Sequence, residues 1–292
     1  MNTSFMNGLF PALATPFLDN ENIDENGVEK LVQTLVQQGA DGLYVCGSSG
    51  ESILLSIQER KTILEIAIAA AKGRVPVIAH IGSQRTSDTI ELAKHAQSCG
   101  AAAISALPPI YYKYTLSELI NYYLEVMNSV SLPFIVYNAP ALTGIFFDKS
   151  NINEIFIHPN AFGMKFTSYD SYRMQRLMAQ YPDKVIINGH DETYLCTLAL
   201  GVKCAIGSTL NFALSKFKKI KQDFESGNLK AARRGQDEVN QIVDAMIEIG
   251  VFRGIKAMLT LLELPAGNCR KPFAPISKQE LDKLVPLLKL LA

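Results

Sequence analysis

Charge imbalance, paired cysteines and long apolar runs are all missing from this chain of 292 residues. Lys plus Arg number 28, as do Asp plus Glu, so the formal net charge is zero. That leaves no basic field to draw nucleic acid and no polybasic segment to seek an anionic membrane. The five cysteines (Cys46, Cys99, Cys196, Cys204, Cys269) contain no CxxC pair. An odd, dispersed set argues against a disulfide framework and a zinc site, and reads as free thiols in a reducing cytoplasm. The four histidines are equally isolated along the sequence. His95 and His158 read as surface or capping residues, whereas His80 and His190, at strand ends, keep a place near a site. The apolar stretch 63–71 contains Glu65 and is too short to span a bilayer. Residues 1–7 lack both a positive region and an apolar core, so no leader peptide is expected. No low-complexity tract, GxGxxG after a strand or Walker loop occurs.

What is present is a regular alternation. Apolar runs of strand length lie at 9–13, 42–46, 75–81, 101–106, 133–137, 161–165, 184–187 and 203–206. Helical patterns at 26–38, 57–72, 87–98, 117–129, 151–157, 169–180 and 192–200 separate them. Asp24 and the pair Ser56/Glu59 are helix start signals, and Gly39, Gly73 and Gly100 are stop signals. The runs are continuously apolar, which implies burial on both faces and a parallel sheet. Eight strand–helix units close most naturally into an α/β fold, the (β/α)8 or TIM barrel, with an open doubly wound sheet as the alternative. After the eighth run only helices follow, at 212–224, 229–249, 251–262 and 277–291. The expected division is a barrel over 1–225 and C-terminal helices over 226–292 packed on it.

A barrel carries its chemistry at the C-terminal ends of its strands. Standing there are Thr15, Ser48, Ser49, His80, Tyr111, Tyr137, Lys165, Thr167, Asp191, Glu192 and Ser208. Lys165 ends an apolar run and Tyr137 ends another. A buried amine and a nearby phenol suit Schiff-base chemistry on a carbonyl, since burial favours the neutral, nucleophilic amine and the phenol can relay protons. The competing reading is a lysine leaving the core and snorkelling to water. Gly47-Ser48-Ser49-Gly50-Glu51 offers backbone N–H groups and two hydroxyls to an anion, or is an ordinary turn whose serines cap the next helix. Asp191-Glu192 either opens a helix or, with Gly189, Thr167 and Ser208, binds a polyol.

Gly47-Ser48-Ser49-Gly50-Glu51, Tyr137-Asn138-x-Pro140 and Gly163-x-Lys165 together resemble the signature of the pyruvate-dependent class I lyases, the dihydrodipicolinate synthase / N-acetylneuraminate lyase family. The resemblance runs from about Gly8 to Leu291. It implies imine formation with pyruvate at Lys165, a proton relay through Tyr137, and carboxylate binding by Ser48 and Ser49. It also implies a homotetramer in which Tyr111 completes the relay across a subunit interface. The family more often carries Thr at one of the two serine positions; serine keeps the hydroxyl but loses the methyl that fixes its rotamer. The synthase branch is expected to carry an arginine just after Tyr-Asn-x-Pro, where this chain has Ala141-Leu142-Thr143-Gly144. Lys165-Phe166-Thr167-Ser168, Gly189-His190-Asp191-Glu192, Gly207-Ser208-Thr209 and Cys269-Arg270-Lys271-Pro272-Phe273 are instead similar to the sialic acid lyase branch. There Thr167, Gly189, Asp191, Glu192, Gly207 and Ser208 would meet the sugar-derived part of the substrate. The implied reaction is cleavage of N-acetylneuraminate (a sialic acid) to N-acetylmannosamine and pyruvate, without metal or organic cofactor. A sister aldolase for another 2-keto-3-deoxy sugar acid and a catalytically silent binding protein are the alternatives.

Overall fold

In the computed structural model, which describes residues 6–291, the eight apolar runs form eight parallel strands. They are β1 (Gly8–Pro11), β2 (Leu43–Val45), β3 (Val77–His80), β4 (Ala103–Ala106), β5 (Phe134–Asn138), β6 (Ala161–Phe166), β7 (Val185–Asn188) and β8 (Cys204–Gly207). From β2 to β8 each pairs with its sequence neighbour, and β8 returns to β1 with Gly8 opposite Cys204. The seam between β1 and β2 is closed by the bridge Ala12–Tyr44 and by the bond from Leu13 N to Tyr44 O at 2.9 Å. A ring closed in this way has no free sheet edge. The fold is a TIM barrel with C-terminal helices. The leader reading rests mainly on residues 1–5, which lie outside the described residues.

Around the barrel stand α1 (Glu25–Gln37), α2 (Ile57–Ala71), α3 (Thr86–Cys99), α4 (Leu116–Asn128), α5 (Pro140–Thr143), α6 (Asn153–Phe156), α7 (Ser171–Gln180), α8 (Tyr194–Ala199) and α9 (Leu210–Glu225). Then come α10 (Leu229–Ile249), α11 (Val251–Leu261) and α12 (Lys278–Leu284). The caps follow the sequence signals: Asp24 accepts from Gly27 N at 2.9 Å, and Ser56 with Glu59 forms a reciprocal capping box. Two helical patterns come out shorter than expected. In 151–157 the Asn151 side chain bonds Asp148 N and Phe146 O, holding the backbone in a turn until α6 begins at Asn153. In 277–291, Pro286 cannot donate to the α-helical ladder, and the chain passes from α12 into a 3₁₀ segment, Val285–Leu291.

The strands bury both faces. Phe10, Tyr44, Ile78, Ile135, Tyr137 and Ile206 fill the lumen, while Val45, Ile104, Phe134, Val136 and Met164 pack outward against the helices. One irregularity decides the orientation of β6. Its register against β5 shifts between Ala161, opposite Phe134, and Gly163, opposite Ile135. Phe162 points into the lumen and Met164 outward, which strict alternation forbids; the shift reverses the parity. Lys165 therefore faces the lumen rather than the helices. Gly163 is required at this bulge because a Cβ there would sit 2.0 Å from Val185 O on β7.

Candidate active site

Beyond the bulge the register is regular, and Tyr137 of β5 lies directly opposite Lys165 of β6. Both side chains enter the lumen near the C-terminal rim. Lys165 is 5% exposed, and its Nζ lies 4.0 Å from the Tyr137 ring centroid and 4.9 Å from that of Tyr44. The snorkelling reading of Lys165 does not describe this geometry: the amine is held between two aromatic faces, which contact it in the cation–π manner.

The two phenols are driven apart electrostatically. Burial alone would raise Tyr137, but the Lys165 ammonium, with the polar groups of Ser48 and Thr167 nearby, outweighs it and holds the phenol below its ordinary value. Burial raises Tyr44 well above the ordinary range, with the Tyr137 charge adding to it. Tyr44 thus stays a hydroxyl, donating to Ser105 Oγ at 3.1 Å. Paired titratable groups with environments that separate their pKa values mark out distinct acid and base roles. Beneath them, burial and the neighbouring Arg60 keep His80 well below its ordinary value and hence neutral. Its Nδ1 donates to Cys46 O at 2.9 Å, and its Nε2 accepts from Leu107 N at 3.2 Å. Both ring nitrogens serve the backbone, so His80 braces the site from below.

The Gly47–Glu51 segment is a 3₁₀ turn whose serines do not cap α2; Ser56 does that. Gly50 N, Glu51 N and Ser52 N are used inside the turn, while no hydrogen bond from the amides of Ser48 or Ser49 is made among the described residues. Those amides and the two half-buried hydroxyls are available to an anion. Thr15 Oγ1 donates to Gly50 O at 2.8 Å and ties the turn to the loop after β1. Glu51, buried at its end, pairs with Lys256 Nζ of α11 at 3.0 Å and accepts from Arg270 N at 2.9 Å. The C-terminal helices thereby anchor the anion turn.

Across the mouth, the ladder continues past the strands, with Thr167 N bonding Asn138 O at 2.8 Å and Gly189 N bonding Phe166 O at 3.0 Å. Asn138 clamps its own loop, donating to Phe147 O at 2.9 Å and accepting from Phe147 N at 3.1 Å. Two glycines make room for functional side chains. A Cβ on Gly189 would lie 2.0 Å from Thr167 Oγ1, and one on Gly207 would lie 1.6 Å from Asp191 Oδ1. Asp191 is buried; its Oδ2 accepts from Thr209 N at 2.8 Å while Oδ1 has no hydrogen-bond partner among the described residues. Burial raises its pKa, aided by Glu192. Burial pushes Glu192 the same way, but hydrogen bonds from His190 and Tyr169 prevail and bring it down to about 2. Tyr169 donates to Glu192 Oε1 at 2.6 Å and stacks on His190 with ring centroids 4.3 Å apart. From α10, Gln236 bonds Asp191 O and Asn240 bonds Glu192 O, so this acidic turn is braced from behind.

The structure thus gathers Lys165, Tyr137, Ser48 and Thr167 in one place, with Asp191, Glu192, Ser49, Gly189, Gly207 and Ser208 around the rim. Tyr111 stands apart: it is 91% exposed on the loop after β4, with φ +85° and its ring edge-on to Tyr112. Beside Ser48 a cavity of about 320 Å³ is walled by Leu107, Ile110, Leu142 and Phe252, so the apolar segment after Tyr-Asn-x-Pro meets an apolar wall. Sequence reasoning overlooked Tyr44, which in a buried strand looks like any core aromatic, and the Tyr169–His190 stack, whose partners are 21 positions apart.

Similarity to known proteins agrees with this geometry. Residues 5–291 match the model of the "Dihydrodipicolinate synthetase family". An N-acetylneuraminate lyase of Rhizobium meliloti is 39% identical over 279 residues, covering 96% of this chain and 93% of that protein. The crystal structure of an N-acetylneuraminate lyase from Fusobacterium nucleatum superposes with a TM-score of 0.92 at 35% identity, covering 98% of both chains. A Ruminococcus gnavus sialic acid aldolase, solved as its catalytic lysine mutant, gives a TM-score of 0.95 at 29% identity over 99% of this chain and 97% of its own. With a match this long and a barrel built around the signature residues, the chain belongs to the dihydrodipicolinate synthetase family.

Proposed function

We propose that this protein is a pyruvate-dependent carbon–carbon lyase that cleaves N-acetylneuraminate to N-acetylmannosamine and pyruvate through a Schiff base on Lys165. The observation that carries the reading is the lateral pairing of Lys165 with Tyr137, a phenol held below its ordinary pKa. Lys165, having given its ammonium proton to solvent, adds as the free amine to the C2 ketone of the open-chain sugar; the carbinolamine oxygen then takes up a proton and leaves as water, giving the protonated imine. The Tyr137 phenolate takes the proton of the C4 hydroxyl as the C3–C4 bond breaks. The bonding electrons pass to the imine nitrogen, N-acetylmannosamine leaves as the aldehyde, and an enamine remains. Protonation at C3 and hydrolysis return pyruvate and the free amine. Tyr44 and neutral His80 shape the lumen without taking the proton.

Ser48 and Ser49, through their free amides and hydroxyls, hold the substrate carboxylate. Thr167, Gly189, Asp191, Glu192, Gly207 and Ser208 form the sugar-binding side. Ionised Glu192 is an acceptor for substrate hydroxyls, and the unpartnered Asp191 Oδ1 is another. Tyr111 serves a neighbouring subunit of a homotetramer, a role its exposure in the single chain supports. Residues 1–225 form the barrel unit and 226–292 its helical brace. Among the described residues no helix is long and apolar enough to cross a membrane, which accords with a cytoplasmic enzyme acting on small molecules. The test is borohydride reduction in the presence of pyruvate, followed by peptide mass spectrometry and an assay for N-acetylmannosamine release. An adduct on Lys165 together with release is expected. No adduct ends the Schiff-base reading, and an adduct without release redirects it to another 2-keto-3-deoxy sugar acid.

A further inference from the structure

We propose that Glu65, His95 and Cys99 bind one divalent transition-metal ion, Zn²⁺ in the first instance, on the outer helical layer. The sequence reading took the cysteines and histidines as isolated; the fold brings these three side chains together. Their donor atoms all lie within 4.8 Å of one another, the one such set of His, Cys, Asp and Glu among the described residues. His95 and Cys99 are four residues apart on α3 and therefore share a face, and Glu65 comes from the neighbouring α2. The seam between the helices is in register: one turn earlier Lys61 Nζ meets Glu91 Oε1 at 2.6 Å. Glu65 Oε1 then meets His95 Nε2 at 2.7 Å, and Cys99 Sγ approaches the same nitrogen at 3.4 Å.

Convergence on one nitrogen separates a metal site from a nucleophilic relay. In a Cys–His–acid relay the acid and the thiol occupy opposite ring nitrogens. Here both crowd Nε2, and Nδ1 is farther from the sulfur at 3.9 Å. A tetrahedral zinc site with ordinary bond lengths spaces its donors about 3.4–3.6 Å apart. The sulfur–nitrogen pair already meets that spacing, and a carboxylate rotation brings the oxygen–nitrogen pair to it. Thiolate plus imidazole plus carboxylate selects zinc over magnesium or calcium, and three protein ligands leave a fourth position for water. On binding, the Cys99 thiol releases its proton to solvent as the metal–sulfur bond forms. His95 and Cys99 are half-buried and Glu65 exposed, so the site is shaped yet open to an entering ion.

The position also separates this site from the reactive rim. Cys99 is the last residue of α3, and the chain turns at Gly100 to enter β4 at its N-terminal end. Lys165 and its neighbours stand at the opposite ends of the strands. Metal occupancy is therefore expected to leave imine chemistry unchanged. Equilibrium dialysis of the full chain against chelator-buffered Zn²⁺, with the metal counted by mass spectrometry, tests the proposal. Modification of Cys99 by a maleimide, read on its peptide, is the second measurement. One zinc per chain and protection of Cys99 are expected; Cys99→Ser and His95→Ala should each weaken binding at least about tenfold. Circular dichroism and borohydride trapping at Lys165 verify that the variants are folded, and Glu65→Gln supplies a third variant if either is not. No stoichiometric zinc on the wild-type chain overturns the site, as does wild-type affinity in the folded variants or undiminished labelling of Cys99 with zinc bound.

Discussion

Replacing Gly207 by alanine isolates the sugar-binding side from the imine chemistry. The new Cβ would lie 1.6 Å from Asp191 Oδ1, 2.5 Å from its Cγ and 2.8 Å from its Oδ2. The carboxylate must move, and its backbone is held by Gln236, so relief comes by rotating the side chain away. That rotation breaks the 2.8 Å bond from Thr209 N and leaves a buried amide without a partner. Such a group costs about 1–3 kcal/mol. At roughly 2–4 °C per kcal/mol for a chain of this order of size, the Tm should fall by roughly 2–12 °C. Loss of one carboxylate hydrogen bond to the substrate, worth about 1.5–3 kcal/mol, should raise KM for N-acetylneuraminate by about 10- to 140-fold. Trapping of pyruvate on Lys165 should stay close to wild type, because neither Lys165 nor Tyr137 is touched. Differential scanning calorimetry, steady-state kinetics and the borohydride assay give the three numbers. A variant with wild-type Tm and KM would refute the packing argument, and one that is folded but cannot be trapped would refute the separation of the two functions.

Lys165→Ala should abolish turnover and trapping; measurable cleavage at the wild-type rate would end the mechanism. Tyr137→Phe keeps the ring beside Nζ, so pyruvate should still be trapped while kcat drops by about 10²–10⁴. The acid limb of the wild-type pH–rate profile, where the lowered phenol is protonated, should vanish in this variant. Gly163→Ala drives a Cβ to within 2.0 Å of the Val185 carbonyl, a backbone atom with no freedom to yield, and should leave little folded protein by circular dichroism. Glu192 is held down to about 2, against about 4.3 for an unfolded glutamate. Its stabilising effect is thus present above about pH 4.3 and lost as the pH falls towards 2. The stability gap between wild type and Glu192→Gln, measured by urea unfolding, should narrow over that window; a constant gap would show that the carboxylate is not specifically stabilised.

Much of the architecture was legible because it rests on local regularities. Continuous apolar runs demand burial on both faces, and the caps at Asp24 and Ser56 are short-range signals that the fold obeys. Lys165, Tyr137 and the serine turn were legible because strand ends converge on one rim whenever eight strands close. The hidden features depend on distance in the chain. Glu65 lies 30 positions from His95, and Tyr44 is apolar context until a lysine arrives from β6.

By itself, the sequence determined the parallel barrel, its rim and the residue types that can form an imine, since hydrophobic period and chain order suffice for these. Only the tertiary structure decided which way Lys165 points. A one-residue register shift at Gly163, permitted by the absence of a Cβ beside Val185, turns that side chain from the helical layer into the lumen against Tyr137. Parity along a strand is a property of pairing with its neighbours, and no residue carries it alone.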